Sequence, residues 1–273
     1  MIVGQYIESA INWLTDNFSG VFDGINVFMT SLINAIEGFW IWLPFYVVIA
    51  IFTGLAWWKA GKSNAILTLL GLIFIYLTGF WEETMQTFSL VLASAIIALA
   101  IGIPLGIWSA KSNLASKIIR PILDFMQTMP AFVYLIPAVL FFGLGTVPGA
   151  FATIIFAMPP VVRLTSLGIK QVPEDIVEAS KAFGATPRQL LIKVQLPLAM
   201  PTILAGVNQT IMMALSMVVI ASMIGAKGLG EIVLQGISQL RIGLGFESGL
   251  AVVLLAIILD RITQNLGKNP KTK

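Results

Sequence analysis

Chemistry in this chain has to be sought among carboxylates, lysines, arginines and hydroxyls, because its 273 residues include no Cys and no His. That removes thiolate nucleophiles, disulfides, the usual zinc ligand sets and imidazole acid–base catalysis. No catalytic residue, no metal ligand and no cofactor is therefore expected in the chain. The one long polar interruption between hydrophobic runs goes from Arg163 to about Met200 and holds Lys170, Glu174, Asp175, Glu178, Lys181, Arg188 and Lys193. Local signals divide it into two short helices with a corner. Pro173 suits a first helical position, where a missing N–H is harmless, and Glu174 and Asp175 follow it at the positive end of the helix. Gly184 suits the left-handed residue just past a helix end. Thr186-Pro187-Arg188-Gln189 then reads as a capping box with proline first, and Pro197 and Pro201 are expected to end the region. The first short helix exposes Glu178 and Lys181 beside small Ala179 and Ala182, a surface suited to close approach of a partner and to transmitting force. A solvated surface loop is the plainer alternative.

Everything around that stretch reads as membrane. The chain is 58% hydrophobic and 11% charged, against about 25% charged residues in soluble domains. Seven spans are expected, at about 39–58, 64–81, 86–109, 123–143, 147–165, 202–224 and 246–262, since ~20 apolar residues cross a ~30 Å core. The run Gly143 to Gly149 supplies a tight turn between the fourth and fifth. The second is diluted by Thr68, Tyr76 and Thr78, which leaves six spans as the alternative. Residues 1–38 contain no Lys or Arg, and Val3, Ile7, Ile11, Leu14, Phe18, Val21, Ile25, Phe28, Leu32 and Ile36 form one apolar stripe at helical spacing. Glu8, Asn12, Asp16, Asp23 and Asn34 lie opposite, as in a helix lying in the membrane interface. A scaffold packed outside the bundle is the plain reading of that helix, and partner docking the other. The start lacks the short basic segment of a cleaved signal peptide, so Met1 onward is expected to be retained.

Lys and Arg set the orientation. With seven spans and the N-terminus outside, fourteen of the sixteen cations fall inside, and only Lys227 and Arg241 fall outside. The polar stretch and the basic tail 263–273 are then cytoplasmic. No expected span carries a charge near its centre, where one costs ~2.5–3.5 kcal/mol on insertion scales. That counts against a proton-coupled carrier.

Glu178-Ala179-Ser180, then Gly184, then Val194-Gln195-Leu196-Pro197 resembles the EAA loop of permease subunits of binding-protein-dependent ATP-binding-cassette importers. Ser180 replaces the third Ala of that pattern and Val194 its Ile. Asp124 through Gly149, and Ala205 through Gly230, resemble the glycine betaine/proline branch of the family, and the similarity spans roughly residues 80–262. The resemblance implies an all-α polytopic helix bundle, the type I importer permease fold (MetI-like). Its parts would be an N-terminal amphipathic helix at 1–38, two accessory transmembrane helices at 39–81, a permease core at 82–262 with a coupling loop at 163–201, and the tail. It implies that Glu178, Ala179, Ser180, Ala182, Gly184, Leu196 and Pro197 form the element that couples to the ATPase. The implied partners are a second, identical permease copy, two cytoplasmic ATPases that bind ATP with Mg, and an external substrate-binding protein, in a bacterial cytoplasmic membrane. No nucleic-acid partner is expected. The implied cargo is a compatible solute such as glycine betaine, a proline-type compound or a related quaternary ammonium compound.

Three further signals stay open or fall away. Gln127, Thr128, Asn208, Gln209, Thr210 and Ser216 either bond between helices or line the solute path. Met212, Met213, Met217 and Met223 fit helix packing or an adaptable gate. Gly225 to Gly230 lacks the lysine and hydroxyl pattern of a phosphate-binding loop and is expected to be an external turn. The alternatives in function are a permease for another small organic solute, such as choline or an amino acid, an ion-coupled secondary carrier, and last a membrane-embedded enzyme.

Overall fold

The computed structural model describes residues 2–265, so the tail residues Lys268, Lys271 and Lys273 lie outside the described part. The described residues form helices joined by short turns. Their order is α1 (Ile2–Asn17), α2 (Ser19–Trp42), α3 (Phe45–Ala60), α4 (Lys62–Leu77), α5 (Trp81–Lys111), α6 (Asn113–Thr128), α7 (Leu135–Phe142), α8 (Thr146–Lys170), α9 (Glu174–Ala182), α10 (Pro187–Gln189), α11 (Leu196–Ser222), α12 (Leu229–Ser238) and α13 (Ile242–Gln264).

Five stretches are long and apolar enough to cross a membrane: Ser19–Trp42, Trp81–Lys111, Thr146–Lys170, Pro187–Ser222 and Ile242–Gln264. A sixth is made if α6 and the segment Ala131–Phe142, bent by 110° at Met129-Pro130, count as one broken span. The expected spans 39–58 and 64–81 take a different form. Pro44 sits in extended backbone between α2 and α3 and cuts the apolar run that starts at Phe39. The helices that follow, α3 and α4, have 16 residues each, about 24 Å at 1.5 Å per residue, short of a ~30 Å core. The stripe expected as one interfacial helix over 1–38 is likewise divided at Phe18, and α2 continues through 38 to Trp42. Only Met29 and Ile33 of α2 are buried; they pack with Leu90, Phe142 and Ile154 of the bundle.

The centre of the fold is α5, α8 and α11. Small residues let α5 and α8 approach until backbone touches side chain, the packing mode expected where lipid leaves no hydrophobic drive between helices. At Gly106 a Cβ would lie 2.6 Å from the Thr165 Cβ and 2.8 Å from the Val162 carbonyl oxygen. The two glycine-rich turns anticipated from sequence are laced together at the opposite end from α9. Gly145 N–H donates to the Ile224 carbonyl at 2.8 Å, and Leu229 N–H donates to the Thr87 hydroxyl at 2.8 Å.

Candidate functional site: the loop between α8 and α11

No residue of α9 is buried, so its shape is held by backbone bonds at its ends. Pro173 stands just before the helix rather than in its first position, with Glu174 and Asp175 in the first turn. At the far end Gly184 has φ +79°. Its N–H donates to the Lys181 carbonyl at 2.9 Å and the Ala185 N–H to the Ser180 carbonyl at 3.1 Å. This pair of bonds satisfies the last carbonyls of the helix and turns the chain without a packed core. The next helix starts on the expected box: Gln189 N–H donates to the Thr186 hydroxyl at 3.3 Å, and Thr186 N–H donates to Gln189 Oε1 at 2.9 Å.

Glu178, Ala179, Lys181 and Ala182 are exposed, while Ser180 turns back and donates to the Ile176 carbonyl at 2.7 Å. Between them stands a residue that sequence inspection passed over. Phe183 is 93% exposed, with its ring next to the turn glycine. The available signal was a bulky aromatic at the corner of a charged loop.

Pro197 and Pro201 do not end the region as expected. Residues 187–222 form one continuous helical stretch, because Leu190–Gln195 winds as a π-helix. There the Leu196 N–H reaches back five residues to the Leu191 carbonyl, and the wider turn accommodates Pro197 at the start of α11. Leu196 packs, half-buried, with Ile169, Ala199 and Ile203. Lys111, the last residue of α5, donates to Gln195 Oε1 at 2.6 Å. The loop is thus joined directly to α5 as well as to α8 and α11.

The polar residues near the spans separate by environment. Asn208 donates to Asp260 Oδ1 at 3.0 Å and accepts from the Thr263 hydroxyl, in a cluster tying α11 to α13. Thr210 is buried, with no hydrogen-bond partner for its hydroxyl. Gln127, Thr128, Gln209 and Ser216 are exposed on the single chain. Of these, Thr128 and Ser216 donate to carbonyls of their own helices.

Against known proteins, residues 102–271 match the model of the family described as "Binding-protein-dependent transport system inner membrane component". The chain belongs to this family. OpuAB of Bacillus subtilis, a glycine betaine transport system permease protein, is 51% identical over 99% of this chain and 96% of its own length. ProW of Escherichia coli, a glycine betaine/proline betaine transport system permease protein, is 52% identical over 98% of this chain and 76% of its own. Among solved structures, a chain of the MetNI methionine ABC transporter in an inward-facing crystal form superposes with a TM-score of 0.58 at 22% identity. That match covers 68% of this chain and 94% of the other, and it establishes the common fold.

The family model begins inside α5 and so includes α6 to α13, the whole of the loop and both glycine-rich turns. The full-length matches take in α1 to α4 as well, so the helices outside the permease core are a shared part of this branch. The loop thus lies within the region that the family shares. Its exposed face is made by Glu178, Ala179, Lys181, Ala182 and Phe183, one turn ahead of the continuous helical stretch Pro187–Ser222 that runs into the centre of the bundle.

Proposed function

We propose that the chain is the membrane-spanning subunit of an ATP-driven importer for glycine betaine and related quaternary ammonium or proline-type osmoprotectants. The observation that carries the coupling part is the largely exposed α9, closed at its C-terminal end by the Gly184 turn, with Phe183 projecting beside it and the helical stretch from Pro187 through Ser222 running on into the bundle. A short helix that packs only lightly on the rest of the chain presents its exposed face to a partner, and a cytoplasmic ATPase groove is the seat proposed. The solute is inferred from relatives about half identical over almost the whole chain. Glu178, Ala179, Ser180, Ala182 and Gly184 make up the docking element, and Leu196 and Pro197 belong to its junction with α11.

In the assembly proposed, two copies of this chain enclose the path, each seated on one ATPase that binds ATP with Mg, and a binding protein delivers solute from outside. The excess of Lys and Arg at the α9 end supports a cytoplasmic loop. With the N-terminus outside, Lys59 and Lys62 at the tip of the short α3–α4 hairpin reach the same side as the loop by extending their long side chains to the interface. Transport is by alternating access: closure of the ATPases moves α9, and differential binding to the two states supplies the direction. Exposed Gln209 and Ser216 lie seven residues apart on one face of α11 and are assigned to the path. So are Gln127 and Thr128, whereas Asn208 and Thr210 are assigned to packing.

Reconstitution with the cognate ATPase and binding protein tests this. The expected result is uptake of radiolabelled glycine betaine that requires ATP and every component. A stable complex that moves a different solute would keep the importer and change its cargo. Ion-driven flux through this chain alone would replace the reading with a secondary carrier.

A further inference from the structure

Helix α6 has three faces. Ala115, Ser116, Ile119 and Leu123 are buried against the bundle. Leu114, Ile118, Ile122 and Phe125 form an exposed apolar stripe. Arg120, Asp124, Gln127 and Thr128 recur at steps of three and four and form a separate exposed polar lane. The lane runs from the end of the helix near Lys170 to the 110° bend. Along it, between α6 and α8, opens a cavity of about 390 Å³ lined by Arg120, Asp124, Arg163, Ser166 and Lys170, among others. Arg163 of α8 donates to the Asp124 carboxylate, and these side chains are 43% and 66% exposed. Ser109 and Ser166, both buried, contribute hydroxyls to the lining.

Charged side chains that converge on a cavity rather than on an open surface mark a candidate binding site. Both signs are present here, and that selects the ligand. An anion such as a lipid phosphate meets exposed Asp124, and a simple cation meets Arg120, Arg163 and Lys170. A zwitterion satisfies both, with its carboxylate toward Arg120 and Lys170 and its ammonium toward Asp124. When no solute is present, Asp124 and Arg163 pair with each other. A pair this exposed is held weakly against solvent, so it can open to a solute and re-form behind it.

We propose that this cleft is a transit site for the zwitterionic solute on its way from the bend of α6 to the α9 end of the bundle. The proposal rests on the solute reading above. The ion pair serves as an internal stand-in for the solute, which makes the site one of passage rather than tight retention.

The test uses the full complex of permease, ATPase and binding protein in vesicles, with radiolabelled glycine betaine, comparing wild type, Asp124→Asn, Arg163→Gln, the double variant and Arg120→Gln. Arg120 has no hydrogen bond among the described residues, so its replacement removes charge alone. The expected result is a fall of at least about ten-fold in solute moved per ATP hydrolysed in both single variants of the pair, with no recovery in the double. Arg120→Gln is expected to lose several-fold. The external KM, set by the binding protein, stays near wild type in all. Recovery in the double variant would mean a structural ion pair and overturn the proposal. So would losses that follow only the anionic-lipid content of the vesicles, which would indicate a headgroup site. If wild type moves glycine betaine and every variant matches it, the inference alone fails. If wild type moves none, the solute reading fails and takes this site with it.

Discussion

The loop between α8 and α11 and the helices before Trp81 are both broken by proline and glycine, yet they are specified in different ways. In the loop each break is closed by its own short-range bonds: the paired carbonyls before Gly184 and the reciprocal Thr186–Gln189 box. Nothing beyond a few neighbouring residues is required, and no side chain of α9 is buried. In the N-terminal region no helix from α2 to α4 has a side-chain cap at its start. There Pro44 and Gly61 mark the breaks, and packing against the bundle sets the shape. The surface proposed to meet a partner is built from local bonds; the surface that leans on the bundle is shaped by it.

That contrast can be broken at several points. The largest effect should come from the core that carries both regions. Gly106→Leu inserts a side chain where even a Cβ is 2.6 Å from Thr165. Overpacking of this kind costs about 1–3 kcal/mol, and with a backbone carbonyl also in the way the upper end applies. The expected outcome is little or no folded permease by size-exclusion chromatography of the solubilised protein. Phe183→Ala should come next. A buried aromatic anchor at an interface contributes about 2 kcal/mol or more, so ATPase co-purification should drop roughly thirty-fold while the permease still folds. Normal co-purification would remove Phe183 from the docking face.

Gly184→Val sharpens the local side of the comparison. A φ of +79° costs an L-residue about 1–2 kcal/mol, more with a branched Cβ. ATP-driven uptake should fall by roughly ten-fold with assembly retained, whereas full solute-stimulated ATPase activity and uptake would show that the turn is dispensable. Glu178→Lys should weaken docking more modestly, as a reversed charge at the edge of an interface, read as a salt-dependent loss in co-purification. Pro44→Ala should do least. Its own side chain is exposed, and exposed substitutions usually stay within about 0.5 kcal/mol. Unchanged uptake and thermal stability are expected, and loss of uptake would mean that the α2–α3 break is itself functional.

The same contrast governs what the sequence could reveal. Thr186, Gln189 and Gly184 were readable because capping chemistry acts over three or four residues and leaves a pattern at fixed spacing. The glycine turns at 143–149 and 225–230 were readable as turns, but their lacing through Gly145–Ile224 and Thr87–Leu229 joins residues far apart in the chain and has no local signature. Pro44 lies inside an apolar run, where hydropathy reports lipid compatibility while the missing N–H decides where a helix stops. The division at Phe18 has no proline or cap to announce it. Asn208 and Ser216 look alike in sequence, yet one bonds across to Asp260 and the other back to its own helix. Only the position of α13 distinguishes them.

The π-wound segment Leu190–Gln195 carries a consequence for register. A helix that closes its bonds one residue further back holds one residue more than an α-helix would. Everything after Gln195 is therefore turned by about 100° relative to an uninterrupted α-helix from Thr186. Chain length in this segment thus acts as an angle. Removing one residue would leave the loop at almost the same height but rotate the face bearing Gln209 and Ser216 around the axis of α11. The spare residue sets the phase between the proposed docking face on α9 and the proposed solute face of α11, and a one-residue deletion is the change to which that phase is most sensitive.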